Sequence, residues 1–353
     1  MPIEIRPFSA EWLNAVREFN GRLDTAGAAP GMRLPEDPQT EMLPGSETWL
    51  ALEGGAVRGG YTLRPQQFSF RGEIRRVAHY RLPVSEGLID RSYAMVGSLL
   101  LRSAMQKEPL LYALGMGGYQ QPLPRMLQAM GWKLSPVPFY FRVVHPARFL
   151  RRIRAARNSR WRAGIMDLAA STGVGWLGIH AAQLCRTRWG GRVALKEVGE
   201  IGAWADEIWE ASHGAYGMIA VRSSEVLRQL YPASSPRFLR IQVSAAGWAV
   251  LLDTVMRDDP YFGDLRVGTI VDCLANLEDA ATVIRAARVY LERRGVDLII
   301  SNQGHPAWTD ALQADGFFGG PTNFLFAASP ALFAAGASEW HINRGDGDGP
   351  VHL

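Results

Sequence analysis

The chain has 353 residues, which suits two domains of ordinary size, and a hydrophobic share of 47% excludes a disordered protein. Its two cysteines, Cys185 and Cys273, lie far apart and without His or Cys neighbours at ligand spacing, which excludes a disulfide framework or a metal knuckle and fits a reducing compartment. Net charge is only +4, yet 14 of the Lys and Arg fall between Pro109 and Lys196 against one acid, Asp167, leaving 24 bases and 33 acids elsewhere. Such a basic waist points either to a held anion (a phosphate-bearing ligand, a phospholipid surface or nucleic acid) or to a solvated arginine face.

The first residues, MPIEIRPFSAEW, show no apolar run behind a basic start, so no signal peptide is expected and a cytoplasmic setting follows. Pro2–Arg6 reads as a strand. A helix capped by Ser9 follows, with Trp12, Leu13, Val16, Phe19 and Leu23 at helical spacing on one face. Gly, Pro and acids from Gly27 to Gly45 mark a long surface loop beside a site. Thr48–Glu53, Arg58–Phe68 and Glu73–Val84 then form an antiparallel meander, turned at Gly54-Gly55 and Arg71-Gly72. A helix is expected from Arg91 to about Gln106, then strand Leu110–Leu114, a helix from about Leu123 to Met130, and strand Trp132–Val144.

The second half repeats this order. Strands Phe238–Ser244, Trp248–Met256 and Leu265–Leu274 precede a helix from about Glu278 to Arg294, which buries Ile284, Ala287 and Leu291 and stops at Gly295. Strand Val296–Ser301, helix Pro306–Ala314 and strand Asn323–Ala327 complete it. Three local matches support a duplication: LQAMGW (127–132) with LQADGF (312–317), LYALGMGG (111–118) with LIISNQGH (298–305), and HPARFL (145–150) with SPALF (329–333). The division read from this pattern is an N-terminal domain over 1–150, a basic linker with a connecting helix over 151–193, a C-terminal domain over 194–335 and a tail over 336–353. The linker carries six arginines in 151–162 and an apolar stretch over 163–185. Asp167, His180 and Gln183 interrupt that stretch, which favours a packed connecting helix or one resting on a membrane surface over a span.

A meander followed by helix, strand, helix and strand, with the penultimate helix ending in Gly-aromatic, resembles the GNAT acyltransferase superfamily, and both halves show it. Tandem arrangements of this kind also resemble Fem-type transferases and acetyltransferase-like proteins of bacterial envelope and exopolysaccharide synthesis. The resemblance implies an α/β fold of mixed sheets in two tandem GNAT-like domains. It implies as co-substrate acetyl-CoA or another acyl-CoA, its pyrophosphate held by a turn that opens the first long helix. In the N-terminal half the matching residues are Arg91, Ala94 and Val96, with Gly97 as the last small position after a one-residue shift. In the C-terminal half Glu278 and Asp279 stand where phosphate would lie, so that copy is expected to bind no CoA.

Acyl transfer to an amine needs a base and often an acid. The Tyr that many members place before the Gly-aromatic is replaced by Leu127 and Leu312, so Tyr119 is the nearest acid, or else a packed loop aromatic. His79 and Glu86 flank the strand expected beside the thioester and are the candidate bases, although a single His in a strand is more often structural. Asn302 and His305, after an apolar strand, either line an acceptor pocket or cap a helix. The tail from Asn343 to Gly349 lacks the later Glu of a calcium loop and reads as flexible or docking; no metal site is expected. The resulting expectation is an acyl-CoA-dependent N-acyltransferase acting on a small-molecule or sugar-linked amine, with peripheral contact to an anionic membrane and nucleic acid not favoured. Two alternatives stay open: a non-catalytic binding or scaffold protein of this fold, and Fem-type transfer from aminoacyl-tRNA.

Overall fold

The computed structural model describes residues 2–29, 31–37, 43, 45–154, 178–179, 181–183, 185, 187, 193–336 and 339–347. Most of the expected linker, with Asp167 and the apolar stretch, and the tail beyond Gly347 lie outside the described residues.

In chain order, the first half contains β1 (Glu4–Pro7), α1 (Leu13–Thr25), β2 (Glu47–Glu53), β3 (Ala56–Phe70), β4 (Glu73–Ser85), α2 (Val96–Lys107), β5 (Leu111–Leu114), α3 (Pro122–Ala129), β6 (Lys133–Pro136), β7 (Phe139–Val143) and α4 (Pro146–Arg152). The second contains β8 (Lys196–Glu197), α5 (Trp204–Ser212), β9 (Met218–Ala220), α6 (Ser224–Leu230), β10 (Leu239–Val243), β11 (Gly247–Val255), β12 (Arg266–Ala275), α7 (Ala280–Arg293), β13 (Leu298–Asn302), α8 (Pro306–Ala314), β14 (Phe318–Gly320), β15 (Leu325–Ala328), α9 (Pro330–Ala334) and β16 (Trp340–His341).

These elements form two compact units, and neither is a contiguous stretch of chain. One comprises Met1–Ser135 and Leu325–Ser338; the other comprises Pro136–Phe324 and Glu339–Leu353. In the first unit the strands run in the order β1-β2-β3-β4-β5-β15-β6, and in the second β8-β10-β11-β12-β13-β7-β14. The two orders correspond strand for strand. Each sheet takes its sixth strand from the other half of the sequence: β15 pairs antiparallel with β5, and β7 with β13. The duplication is therefore real at the level of topology, and it carries an exchanged strand.

This corrects two expectations. The single strand Trp132–Val144 is two strands in different sheets, separated at Pro136-Val137-Pro138, where proline cannot donate to a central ladder. The division expected at residue 150 moves to Ser135, and residues 325–338 return to the first unit. The helix that follows each exchanged strand begins with proline at its first turn, Pro146 in α4 and Pro330 in α9. That accounts for the HPARFL and SPALF match.

Alternation along the meander gives the first sheet two buried faces. Tyr61, Leu63, Ala78, Tyr80, Leu111 and Ala113 pack against Val96, Leu100, Leu101 and Ala104 of α2. Val16, Phe19 and Leu23 of α1 pack with Leu50, Leu52, Val57 and Val84. Burying each of these large side chains contributes about 1.5–3 kcal/mol. Gly59 permits the close approach of β3 to β4, because a Cβ there would stand 2.6 Å from the Val84 carbonyl oxygen and 3.3 Å from Leu100. Ser9 does not cap α1 directly. It precedes a short 3-10 turn (Ala10–Trp12), and its hydroxyl donates to Glu11 at 2.9 Å.

Candidate functional site

The sheet of the first unit is interrupted at one place. Strands β4 and β5 run parallel but pair only at Ala78 with Leu111 and His79 with Tyr112. Beyond this point β4 continues to Ser85 and β5 to Leu114, and among the described residues neither takes another strand partner in the splay. Strand β4 also carries a bulge there: Thr62 faces Arg81 and Gly60 faces Val84, so Tyr61 stands against both Leu82 and Pro83. Leu82 adopts φ 45°, a left-handed conformation that a branched side chain rarely takes. A bulge leaves main-chain polar groups outside the ladder, here on the strand bordering the splay.

Helix α2 opens at the far end of β4. Its N-cap is Met95, no side chain caps it, and the first main-chain bond is Leu99 N–H to the Met95 carbonyl. The first-turn amides therefore offer unpaired donors together with the positive end of the helix dipole. Gly97 lies in this turn, with Ser85 Oγ 3.7 Å and Met126 Sδ 3.5 Å from where a Cβ would be. An anion approaching the backbone meets no side chain of its own at this position.

The expected phosphate-binding residues divide around this point. Arg91 is not in the first turn of the helix, as expected, but in a separate 3-10 turn (Arg91–Tyr93), where its side chain is exposed. Asp90 caps that turn by accepting from Ser92 N–H at 2.9 Å, and these hydrogen bonds hold its carboxyl below the usual range. Ala94 is exposed between turn and helix, and the Val96 side chain is buried in the core. Gly97 alone combines the helix start with open backbone.

Of the candidate bases, His79 sits at the last paired position of β4, where the splay begins. It is 1% exposed and stacks on Tyr112 with ring centroids 4.5 Å apart and planes 6° from parallel. Tyr112 is in turn held by Gln66, whose Nε2 donates to its hydroxyl at 2.6 Å. Burial lowers the His79 pKa well below its ordinary value, and the Arg81 and Arg64 guanidiniums lower it further, so the imidazole is neutral at neutral pH. Its Nδ1 has no hydrogen-bond partner among the described residues. Glu86 is engaged differently from what its place in sequence implied. It is buried and accepts from Arg22 Nε at 2.8 Å and from Arg58 Nη1 at 2.9 Å. Arg58 also pairs with Glu53 at 3.1 Å and covers the Tyr93 ring. The carboxylate is thus engaged by two guanidiniums from distant parts of the chain. Tyr119 stands exposed at the end of the Gly115–Gly118 loop, so it is not a packed aromatic. Leu127 and Leu312 are fully buried in the apolar interiors of their units.

The second unit repeats the splay and fills it. Strands β12 and β13 pair from Val267 with Leu298 to Ile270 with Ser301, then separate, and β12 is bulged at Val271. The segment Glu339–Gly347 enters the gap. Gly304 N–H donates to the Ile342 carbonyl at 2.9 Å, and Gln303 bridges Asn343. On the β12 side Asn343 Nδ2 donates to Asp272 at 2.9 Å, and His341 Nε2 lies 3.0 Å from the Cys273 carbonyl oxygen. Arg222 joins Asp272 (2.9 Å) to Asp346 (2.6 Å), and Tyr231 donates to Asp272 at 2.8 Å. The tail is thus a docked element as far as Gly347.

Asn302 and His305 belong to the same unit and are both buried. Asn302 Nδ2 reaches the Pro138 carbonyl at 3.4 Å, and His305 caps α8 by accepting Ala307 N–H at Nδ1, 3.2 Å. Helix α7 is preceded by a 3-10 turn (Leu277–Asp279) that places Glu278 and Asp279 at its start. Of the basic waist, Arg148 pairs with Asp297, Arg154 with Asp258, and Arg152 donates to the Asp264 carbonyl, while Arg151 is exposed. Among the described residues, no helix is long and apolar enough to cross a membrane.

No protein-family model and no curated protein matches the chain. Solved structures do. A GCN5-related N-acetyltransferase from Anabaena variabilis is 9% identical with a TM-score of 0.56, covering 92% of this chain and 72% of that one. A probable N-acyltransferase from Enterococcus faecalis is 12% identical with a TM-score of 0.52 over 93% and 72% of the two chains. The N-myristoyltransferase of Saccharomyces cerevisiae, solved with bound myristoyl-CoA, is 10% identical with a TM-score of 0.52 over 93% and 79%. The chain therefore has the mixed α/β fold of the GNAT-type N-acyltransferases, in two units.

Proposed function

We propose that the chain is an acyl-CoA-dependent N-acyltransferase with one thioester site, in the splay between β4 and β5. The observation that carries this reading is the contrast between two equivalent gaps. In the second unit the gap holds an extended, amide-bearing segment bound through main-chain and side-chain hydrogen bonds; in the first, neither bordering strand takes another strand partner among the described residues. The pantetheine arm of CoA is also an extended chain with two amides, and its pyrophosphate suits the uncapped first turn of α2. The N-acyltransferase and N-acetyltransferase likenesses support the same chemistry.

The amine nitrogen attacks the thioester carbonyl, the C–N bond forms, the C–S bond breaks, and the ammonium proton leaves. Burial and the Arg81 and Arg64 guanidiniums oppose protonation of His79, so in this reading its neutral ring, with Nδ1 unpartnered among the described residues, orients the amine and the proton leaves to solvent. Leu127 provides no acid, so the thiolate takes its proton from solvent, and most of the acceleration comes from positioning amine against thioester. Thermal denaturation with CoA, acetyl-CoA and longer acyl-CoAs tests the reading. Ligand at a hundredfold excess over Kd stabilises the folded chain by about 2.7 kcal/mol, a rise of several degrees in Tm. No rise with any of them would turn the assignment to a binding protein that keeps the fold without the chemistry. The absence of an acid at Leu127 and the double ion pair on Glu86 favour that second reading.

A further inference from the structure

We propose that the gap between β12 and β13 is a peptide groove whose occupant is residues 339–347 of the same chain, bound as an exchangeable ligand. The contacts divide in the manner of peptide recognition. Main-chain bonds run along one side, at Ile342 with Gly304 and Asn343 with Gln303, and β16 adds Trp340 and His341 as a short parallel strand beside Met218 and Ile219 of β9. Strand addition of this kind supplies affinity with little regard for sequence. Specificity comes from the other side. Arg222, itself buried, presents Nη2 to Asp346, and Asp272 takes Arg222, Tyr231 and Asn343 together. The Asp346 carboxylate also accepts Asn343 N–H at 2.9 Å, which closes the end of the segment into a capped turn.

The fit is steric as well as polar. A Cβ at Gly345 would stand 2.4 Å from the Tyr231 hydroxyl and 2.7 Å from Asp272, so only glycine passes that point. Trp340 covers Gly304 so closely that a Cβ there would meet its ring at 1.9 Å. His341 stacks between Trp308 and Tyr216, at 5.4 and 5.1 Å. The groove therefore selects a peptide that runs extended through an aromatic pair and an asparagine and then turns through a glycine and an aspartate, in fixed order. Burial raises the Asp346 pKa, Asp272 acts in the same direction, and the Arg222 guanidinium and the Asn343 N–H oppose it.

The test cuts the tail after folding. A protease recognition sequence inserted between residues 337 and 338 of the 353-residue chain allows 338–353 to be severed from the folded protein. The severed tail is expected to co-elute with the body in size-exclusion chromatography and to exchange with a fluorescent synthetic peptide of residues 339–353. Peptides carrying Asp346→Asn or Gly345→Val should compete at least tenfold more weakly, and because the changes lie in the peptide the body's folding is untouched. Unfolding on cleavage, a tail that never exchanges, or equal competition by all three peptides would each overturn the proposal. The outcome is independent of whether the first unit binds CoA.

Discussion

Replacing Gly97 with glutamate separates folding from ligand binding at the start of α2. Gly97 is helical, and the space beyond it is bounded only by Met126 Sδ at 3.5 Å and Ser85 Oγ at 3.7 Å, ordinary contact distances for a Cβ. Removing a helical glycine gains roughly 0.5–1 kcal/mol, and a carboxylate in the first turn adds about 0.3–1 kcal/mol through the helix dipole. The substitution should therefore raise Tm by a few degrees. The same carboxylate occupies the donors that a pyrophosphate would use and repels its charge. Losing one charge-assisted hydrogen bond costs about 1.5–3 kcal/mol, a fall in CoA affinity of roughly ten- to a hundredfold. Differential scanning fluorimetry with and without CoA reads both effects in one experiment. A Gly97→Glu protein more stable than wild type and without CoA-dependent stabilisation is the expected pair of results. An undiminished CoA shift would refute the placement of phosphate on α2, whatever the change in Tm.

Two further outcomes follow from buried charge. Glu86→Gln removes the carboxylate from Arg22 and Arg58 and should destabilise the chain by about 1–3 kcal/mol, between the values for exposed and buried pairs, while leaving the acylation rate of the folded fraction unchanged; a large fall in kcat at intact stability would make Glu86 a base after all. Burial lowers the His341 pKa to about 3, and burial with Arg81 and Arg64 lowers that of His79, so both stay neutral when folded although their unfolded counterparts protonate near pH 6.5. Their contribution is complete above pH 6.5 and is lost as pH falls below it, by up to about 1.4 kcal/mol per pH unit for each group, and His341→Gln should flatten the slope seen by urea denaturation at pH 7 and pH 5.

The repeated order of strands and helices is legible in the sequence because each element carries its own period and its own stop. Gly54-Gly55 and Gly295 fall where the chain turns, and Pro306–Ala314 forms the helix its residues dictate. The exchange of β7 and β15 is not legible, since strand pairing is set by the whole sheet and neither segment carries a local mark of the sheet it joins. Pro136 and Pro138 are the available signal, breaking what reads as one strand from Trp132 to Val144. Glu86 misleads for a related reason: its partners Arg22 and Arg58 come from distant positions that spacing along one strand does not reveal. The long helix starts later than its pattern predicts because Asp90 and Ser92 form a capped turn of their own before α2. For the tail, no local pattern distinguishes a flexible segment from a docked one, because nothing in its own residues reports that Asp346 meets Arg222.

The exchanged strand also bears on how the chain is made. Strand β5 is complete at Leu114, but its neighbour β15 ends at Ala328, and the Ser329 hydroxyl that accepts Leu111 N–H comes from the same late segment. A ribosome adding roughly 5–20 residues per second leaves that position empty for about ten to forty seconds. Throughout that interval β5 and β6 present unpaired edges, the surface most prone to pairing with another nascent chain. Neither unit can therefore finish folding until the last part of the chain is made, and a fragment ending at residue 150 should collect as an aggregate however well its own helices form.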